Sequence, residues 1–196
     1  VDGMIKDGLW DVYNDYHMGN AAELCARECN VPRSAQDEFA VESYRRAQKA
    51  IEEGKFKAEI VPVPVPQRRG DPVLVDADEE PGRVRFDKIT SLKPSFQKDG
   101  TVTAANASSL NDGASMLIVA SKEWADENGF TPIATITGYG SAAQAPEWFT
   151  TAPVGAIQAT LERTGLTKDD IDLWEVNEAF GVVAMAVNEE AGLDPA

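Results

Sequence analysis

Asn177 and Glu178 stand where an apolar run that reads as a strand, residues 171–176 (IDLWEV), hands over to a periodic run that reads as a helix, residues 180–190. In an open α/β sheet, that corner outside the carboxyl end of a strand is where ligands bind. The N–H groups at the start of the helix point into it and favour anionic or carbonyl oxygens. The Asn177 amide can hold a water or an oxygen in the same place. The pair could equally do no more than cap the helix, since Asn is a favoured cap residue. Two further stretches have the composition of a binding surface. One is Tyr16-His17-Met18-Gly19, and the other is AANASSLNDG at 104–113. In the second, Ala, Ser and Asn side by side let a ligand lie close against the backbone. It lacks the Lys of a P-loop and the glycine spacing of a dinucleotide fold. His17 is the only histidine in the chain, and a lone His beside Met suits a structural role as well as a ligand-facing one.

The elements that must position these residues follow from periodicity. Residues 1–19 have no clear period and are expected as a structured loop. Asn20 with Glu23 resembles a capping box opening a helix to about Cys29. Ser34 with Asp37 opens a longer helix, in which Phe39, Ser43, Ala47 and Ile51 recur every fourth residue and Gly54 falls just past the end. Val alternates with Pro over 61–66, which predicts an edge strand or a polyproline II stretch. A short helix is expected within 86–96. The second half then alternates: a buried strand at 114–120, a short helix at 122–128 closed by Gly129, an extended run at 133–139, a helix at 154–163 with Gly165 past its end, and the strand and helix around Asn177. That alternation predicts an α/β layered sheet.

Composition narrows the function classes. The 196 residues are 43% apolar and 26% charged, with a formal charge of −15. An acidic chain is a poor general partner for nucleic acid or a membrane surface. No apolar run approaches a membrane span and no basic-plus-apolar leader is visible, so the expectation is a cytoplasmic protein. The chain opens with Val1 rather than Met, which leaves its natural start open. Charge is uneven. Residues 1–100 hold 15 of the 18 cations and 19 of the 33 anions, so an anionic partner, if there is one, is expected to dock on the first half, although any single Arg there reads more readily as solvated surface. Cys25 and Cys29 lie one helical turn apart without further ligands, so no metal is expected and they read as small apolar packing residues.

Taken together, MIKDGLWDVYNDYHMG, GTVTAANASSLNDGAS and WEVNEAFG resemble the thiolases, in order and over essentially the whole chain. DEEPGRVRF, TAANAS and WFTTAPV are most similar to the acetoacetyl-CoA thiolases (acetyl-CoA C-acetyltransferases). The resemblance implies a partial, thiolase-like layered αβαβα fold. Residues 1–103 would be part of the coenzyme A-binding loop domain, 104–130 the end of the N-terminal half, and 131–196 the start of the C-terminal half. It implies condensation of two acetyl-CoA to acetoacetyl-CoA and coenzyme A, or the reverse, by a homodimer or homotetramer active in fatty acid metabolism. Coenzyme A thioesters are then the substrates, with no separate cofactor. Alternatives are a degradative 3-ketoacyl-CoA thiolase and a non-catalytic coenzyme A-binding module.

Residue by residue, the resemblance implies that Asn177 holds the water of an oxyanion hole. His17, Met18 and Phe180 would line the pantetheine tunnel. Ser108 would hydrogen-bond the pantetheine, with Ala104 and Ala107 beside it. Arg83 would approach the adenosine end, and Phe149 would shape the acyl pocket. Pro81 stands where some relatives carry the Tyr of a potassium site, so potassium is not expected. No stretch resembles the turn that carries the nucleophilic Cys, the GHP motif of the base or the motif of the second Cys. The chain is therefore expected to be an internal part of a thiolase, without turnover of its own.

Overall fold

The computed structural model describes residues 1–195, and its centre is one helix. That helix, α6 (Gly181–Ala191), buries Gly181, Val182, Val183, Ala184, Ala186 and Val187. A helix apolar on all sides must be enclosed, and α6 is packed by α1 (Met18–Glu28), α2 (Arg33–Glu52) and α5 (Ala152–Thr164). The α1 face is Ala22, Cys25 and Ala26, small enough for the two helices to approach closely, and Val31 and Val102 complete the cluster. Each fully buried Val contributes roughly 1.5–3 kcal/mol of transfer free energy. Cys25 is a packing residue, as its composition predicted: it is fully buried in this cluster and its thiol is free.

The helix ends follow local rules. Gly54, Gly129 and Gly165 all take positive φ, of 68°, 71° and 71°, just beyond α2, α4 (Lys122–Glu127) and α5. Only glycine adopts that conformation without a Cβ penalty. The helix starts differ from expectation. The cap of α1 is His17, whose Nδ1 accepts from Gly19 N at 3.0 Å. The carboxylate of Glu23 does not turn back to Asn20. It crosses the chain to accept from Thr101 N, Thr101 Oγ1 and Val102 N at 2.8–3.0 Å. Asp37 likewise caps nothing; it takes two 2.8 Å bonds from Arg33 Nε and one from Asn106. Both carboxylates are almost fully buried, and a buried charge needs several donors, which the distant Thr101–Val102 segment supplies to Glu23 and the Arg33 and Asn106 side chains supply to Asp37.

Two short hairpins organise the first half. Residues 1–19 are more regular than a loop: a π-helical turn (Met4–Leu9) leads into β1 (Trp10–Asp11), which pairs antiparallel with β2 (Tyr16–His17). The Asp11 carboxylate closes the turn by accepting from Tyr13 N and from Asn14 N and Nδ2, so His17 is delivered to the start of α1 in a set register. The Val-Pro run forms β3 (Val63–Val65), paired with β4 (Val73–Val75) in an exposed hairpin. This is the edge-strand alternative, consistent with the missing Pro N–H. A short helix α3 (Glu80–Arg83) and a 3₁₀ turn (Phe86–Ser91) follow on α2.

The three strands expected in the second half are not paired. Residues 114–120, 133–139 and 171–176 carry no ladder; the 114–120 run expected to be buried lies open, with Leu117 86% and Ile118 92% exposed, and Leu173 in the last run is 88% exposed. A strand's hydrogen bonds belong to its neighbour, and no neighbouring strand is present for these segments among the described residues. The helices of the layered arrangement are therefore in place while its sheet is represented by unpaired extended runs. No described helix is long and apolar enough to cross a membrane.

Candidate functional site

The loop at 104–108 is tied to the start of α6 on both sides. Asn106 is 3% exposed. Its side chain accepts from Thr103 N at 2.7 Å and donates to Asp37 Oδ1 and Thr101 O, both at 3.1 Å. Its carbonyl accepts from Gly181 N at 2.8 Å. One residue later Ala107 bridges Phe180. Ser108 then donates to the Ala179 carbonyl from its backbone N at 3.1 Å and from its hydroxyl at 3.2 Å. So half-buried Arg33 and buried Asp37 and Asn106 form a charge-assisted chain whose outcome is the position of Ala107 and Ser108 against 177–181.

Asn177 is not a helix cap. The cap position of α6 is Phe180, without a side-chain cap bond. Asn177 is exposed, its amide makes no hydrogen bond among the described residues, and it lines the cavity at this corner. Glu178 accepts from Ser43 Oγ at 2.6 Å, which ties the corner to α2. A cavity of about 270 Å³ opens here, lined by Ser43, Tyr44, Ala107, Ser108, Asn177 and Glu178 among others. Burial first, and then Glu80 beside it, raise the Tyr44 phenol above its usual value, so it stays protonated.

An aromatic wall stands beside Phe180. The Phe96 ring stacks on His17 with centroids 4.8 Å apart and meets Phe180 edge-on at 6.1 Å. Phe96 and Phe180 both pack against the core cluster. Burial lowers the His17 imidazole below its usual value, so it is neutral at physiological pH. Met18, the next residue, opens α1 and is half-buried.

Of the residues singled out in the sequence, the structure thus brings His17, Met18, Ala107, Ser108, Asn177 and Phe180 onto three converging segments. Ala104 is exposed at the start of the loop. Phe149 is half-buried at the end of the 3₁₀ turn Pro146–Trp148, which packs on α1. Arg83 stands apart from them, exposed on α3 and ion-paired to Glu79 at 2.6 Å. Phe96, Asp37 and Asn106 were not predicted as site residues. The contacts that give them a part in the site join segments far apart in the sequence: Phe96 with His17 and Phe180, and Asp37 with Asn106. Cys25 is no nucleophile: burial pushes its thiol up to about 12, and Cys29, with its sulfur 3.9 Å away, is also raised by burial.

Comparison with known proteins gives this geometry a context. The family model "Thiolase, N-terminal domain" matches residues 1–123 and "Thiolase, C-terminal domain" matches residues 130–196. An acetyl-CoA acetyltransferase of Schizosaccharomyces pombe is 52% identical over 196 residues, all of this chain and 50% of that protein. One of Cupriavidus necator is 51% identical over 195 residues, 99% of this chain and 50% of that protein. The crystal structure of the Bacillus anthracis acetyl-CoA acetyltransferase superposes with a TM-score of 0.91 at 41% identity, covering 95% of this chain and 47% of its own. That of the Acat5 thiolase from Ascaris suum, in complex with coenzyme A, superposes at 0.93 and 42% identity, covering 100% and 50%. The chain spans about half the length of the curated relatives it matches.

Proposed function

The chain belongs to the thiolase family, and from that premise we infer that the whole protein is an acetyl-CoA C-acetyltransferase of which this chain supplies the coenzyme A-facing interior. Support comes from one observation above all: the free amide of Asn177 sits at a corner that the 104–108 loop and Phe180 are built to hold. An amide with no internal partner is free to donate to a developing negative charge, the kind of interaction that lowers an acyl-transfer barrier when the donor is held in place. In this reading Asn177 orients a water against the thioester oxygen. His17, Met18 and Phe180 wall the pantetheine arm, and Ala104, Ala107 and Ser108 flank it. Phe149 shapes the acyl end, and Arg83 approaches the adenosine end after releasing Glu79. The acyl group is carried by a Cys outside this chain.

The same reading takes residues 1–103 as loop domain, 104–130 as the end of the N-terminal half and 131–196 as the start of the C-terminal half. It takes the whole protein as a cytoplasmic homodimer or homotetramer acting in fatty acid metabolism on coenzyme A thioesters, without a separate cofactor. The test is a calorimetric titration of the chain with coenzyme A, alongside an acetoacetyl-CoA thiolysis assay on the chain and on the full-length protein. Binding by the chain, turnover only by the full-length protein, and preference for the four-carbon substrate are expected. Turnover by the chain alone, or a preference for longer acyl chains in the full-length protein, would overturn the assignment.

A further inference from the structure

Phe96 joins the two aromatic members of the site, and three separate contacts hold it there. Its ring stacks on His17 at an interplanar angle of 27° and meets Phe180 at 82°. It also lies directly over Gly19: a Cβ on that buried residue would overlap the Phe96 ring. Gly19 is thus a glycine for Phe96's sake, within the first turn of α1. The backbone N–H of Gly19 in turn donates to His17 Nδ1 at 3.0 Å. An imidazole nitrogen that accepts an amide proton carries none itself, so the ring proton is on Nε2. Protonating the ring would turn Nδ1 into a donor and leave the Gly19 N–H without its partner.

We propose that Phe96 is a positioning residue for His17: seated on Gly19, its ring holds the imidazole in one orientation as the neutral Nε2–H tautomer, and Nε2–H is the single donor that His17 offers to a ligand. Nε2 has no protein partner among the described residues. A neutral, oriented N–H suits an uncharged acceptor such as an amide or thioester carbonyl, and it suits a phosphate less well than a cation would. The inference rests on the proposed function for what Nε2–H meets, but not for the orientation itself. Burial lowers the His17 imidazole, the Gly19 N–H bond to Nδ1 favours the same neutral ring, and the stacked Phe96 ring lies against it.

The test is histidine C2–hydrogen exchange read by mass spectrometry on the micromolar chain without coenzyme A, across the imidazole range. The variants are Phe96→Leu, Phe96→Tyr and Gly19→Ala. The wild type and Phe96→Tyr are expected to share a depressed His17 pKa and slow exchange. In Phe96→Leu, which keeps apolar bulk but loses the planar ring, the pKa moves up toward the ordinary value and exchange quickens, with helix content by circular dichroism unchanged. Gly19→Ala, which crowds Phe96 off its seat, is expected to do the same, and it decides the question if the Leu variant loses helix content. Unchanged exchange at His17 in a folded Phe96→Leu or Gly19→Ala variant would overturn the proposal. A chain that fails to bind coenzyme A would sink the functional reading and leave this one standing.

Discussion

Asn106 is the residue on which the position of the 104–108 loop depends, and replacing it has a calculable cost. Asn106→Ala removes three side-chain hydrogen bonds at a site 3% exposed. One of them is to the Asp37 carboxylate, and another satisfies the N–H of Thr103, which is fully buried. Bonds to charged groups contribute about 1.5–3 kcal/mol and an orphaned buried donor costs about 1–3 kcal/mol, so the loss is about 3–5 kcal/mol. The assay is amide hydrogen exchange of peptides spanning 101–108, where protection should fall by roughly two to four orders of magnitude. Asn106→Asp is the sharper probe. It keeps the acceptor for Thr103 N but sets a second carboxylate against that of Asp37. Two like charges about 4 Å apart repel by about 4 kcal/mol at an effective dielectric of about 20. The folded state then retains a proton that the unfolded chain releases above about pH 4. Unfolding releases that proton, so stability falls as pH rises and is regained on acidification. Protection in the Asp variant that matches wild type at neutral pH, or that does not recover in acid, would refute the Arg33–Asp37–Asn106 chain as the anchor of the loop.

Three further outcomes are expected. In the full-length protein, Asn177→Ala should leave thermal stability unchanged, because the side chain is exposed and unbonded, while lowering kcat by about 10²–10³; an unaltered kcat would remove Asn177 from the oxyanion hole. Native alkylation with iodoacetamide at mildly alkaline pH should spare Cys25, whose buried thiol is pushed up to about 12, and peptide mass spectrometry finding Cys25 modified as fast as a free thiol would contradict that burial. The isolated chain should self-associate through the open apolar runs, since exposed contiguous apolar surface drives association. Leu117→Glu with Ile118→Lys should suppress light scattering without altering helix content, and equal scattering by that variant would place the sticky surface elsewhere, for instance on the β3–β4 hairpin.

Local physics made much of the chain legible in the sequence. The runs that form α2, α5 and α6 and the glycines that end α2, α4 and α5 follow from hydrogen bonds spanning four residues and from backbone conformations that only glycine tolerates. The corner at Asn177, the small-residue loop and the family resemblance were visible for the same reason, being contiguous strings. Whatever depended on a distant partner was not. Glu23 and Asp37 looked like cap partners within their own helices, yet one serves backbone 78 residues away and the other an amide 69 residues away. Phe96 carried no mark at all until folding laid it between His17 and Phe180. The runs at 114–120, 133–139 and 171–176 have the composition of strands, but a ladder is a property of two strands, and none of them has a strand neighbour among the described residues. Sequence determined which segments are helical and which residues have the right chemistry. Tertiary structure decided which carboxylates hold the binding loop, which aromatic orients the histidine and which apolar surfaces stay open, because burial and pairing are settled between segments rather than within them.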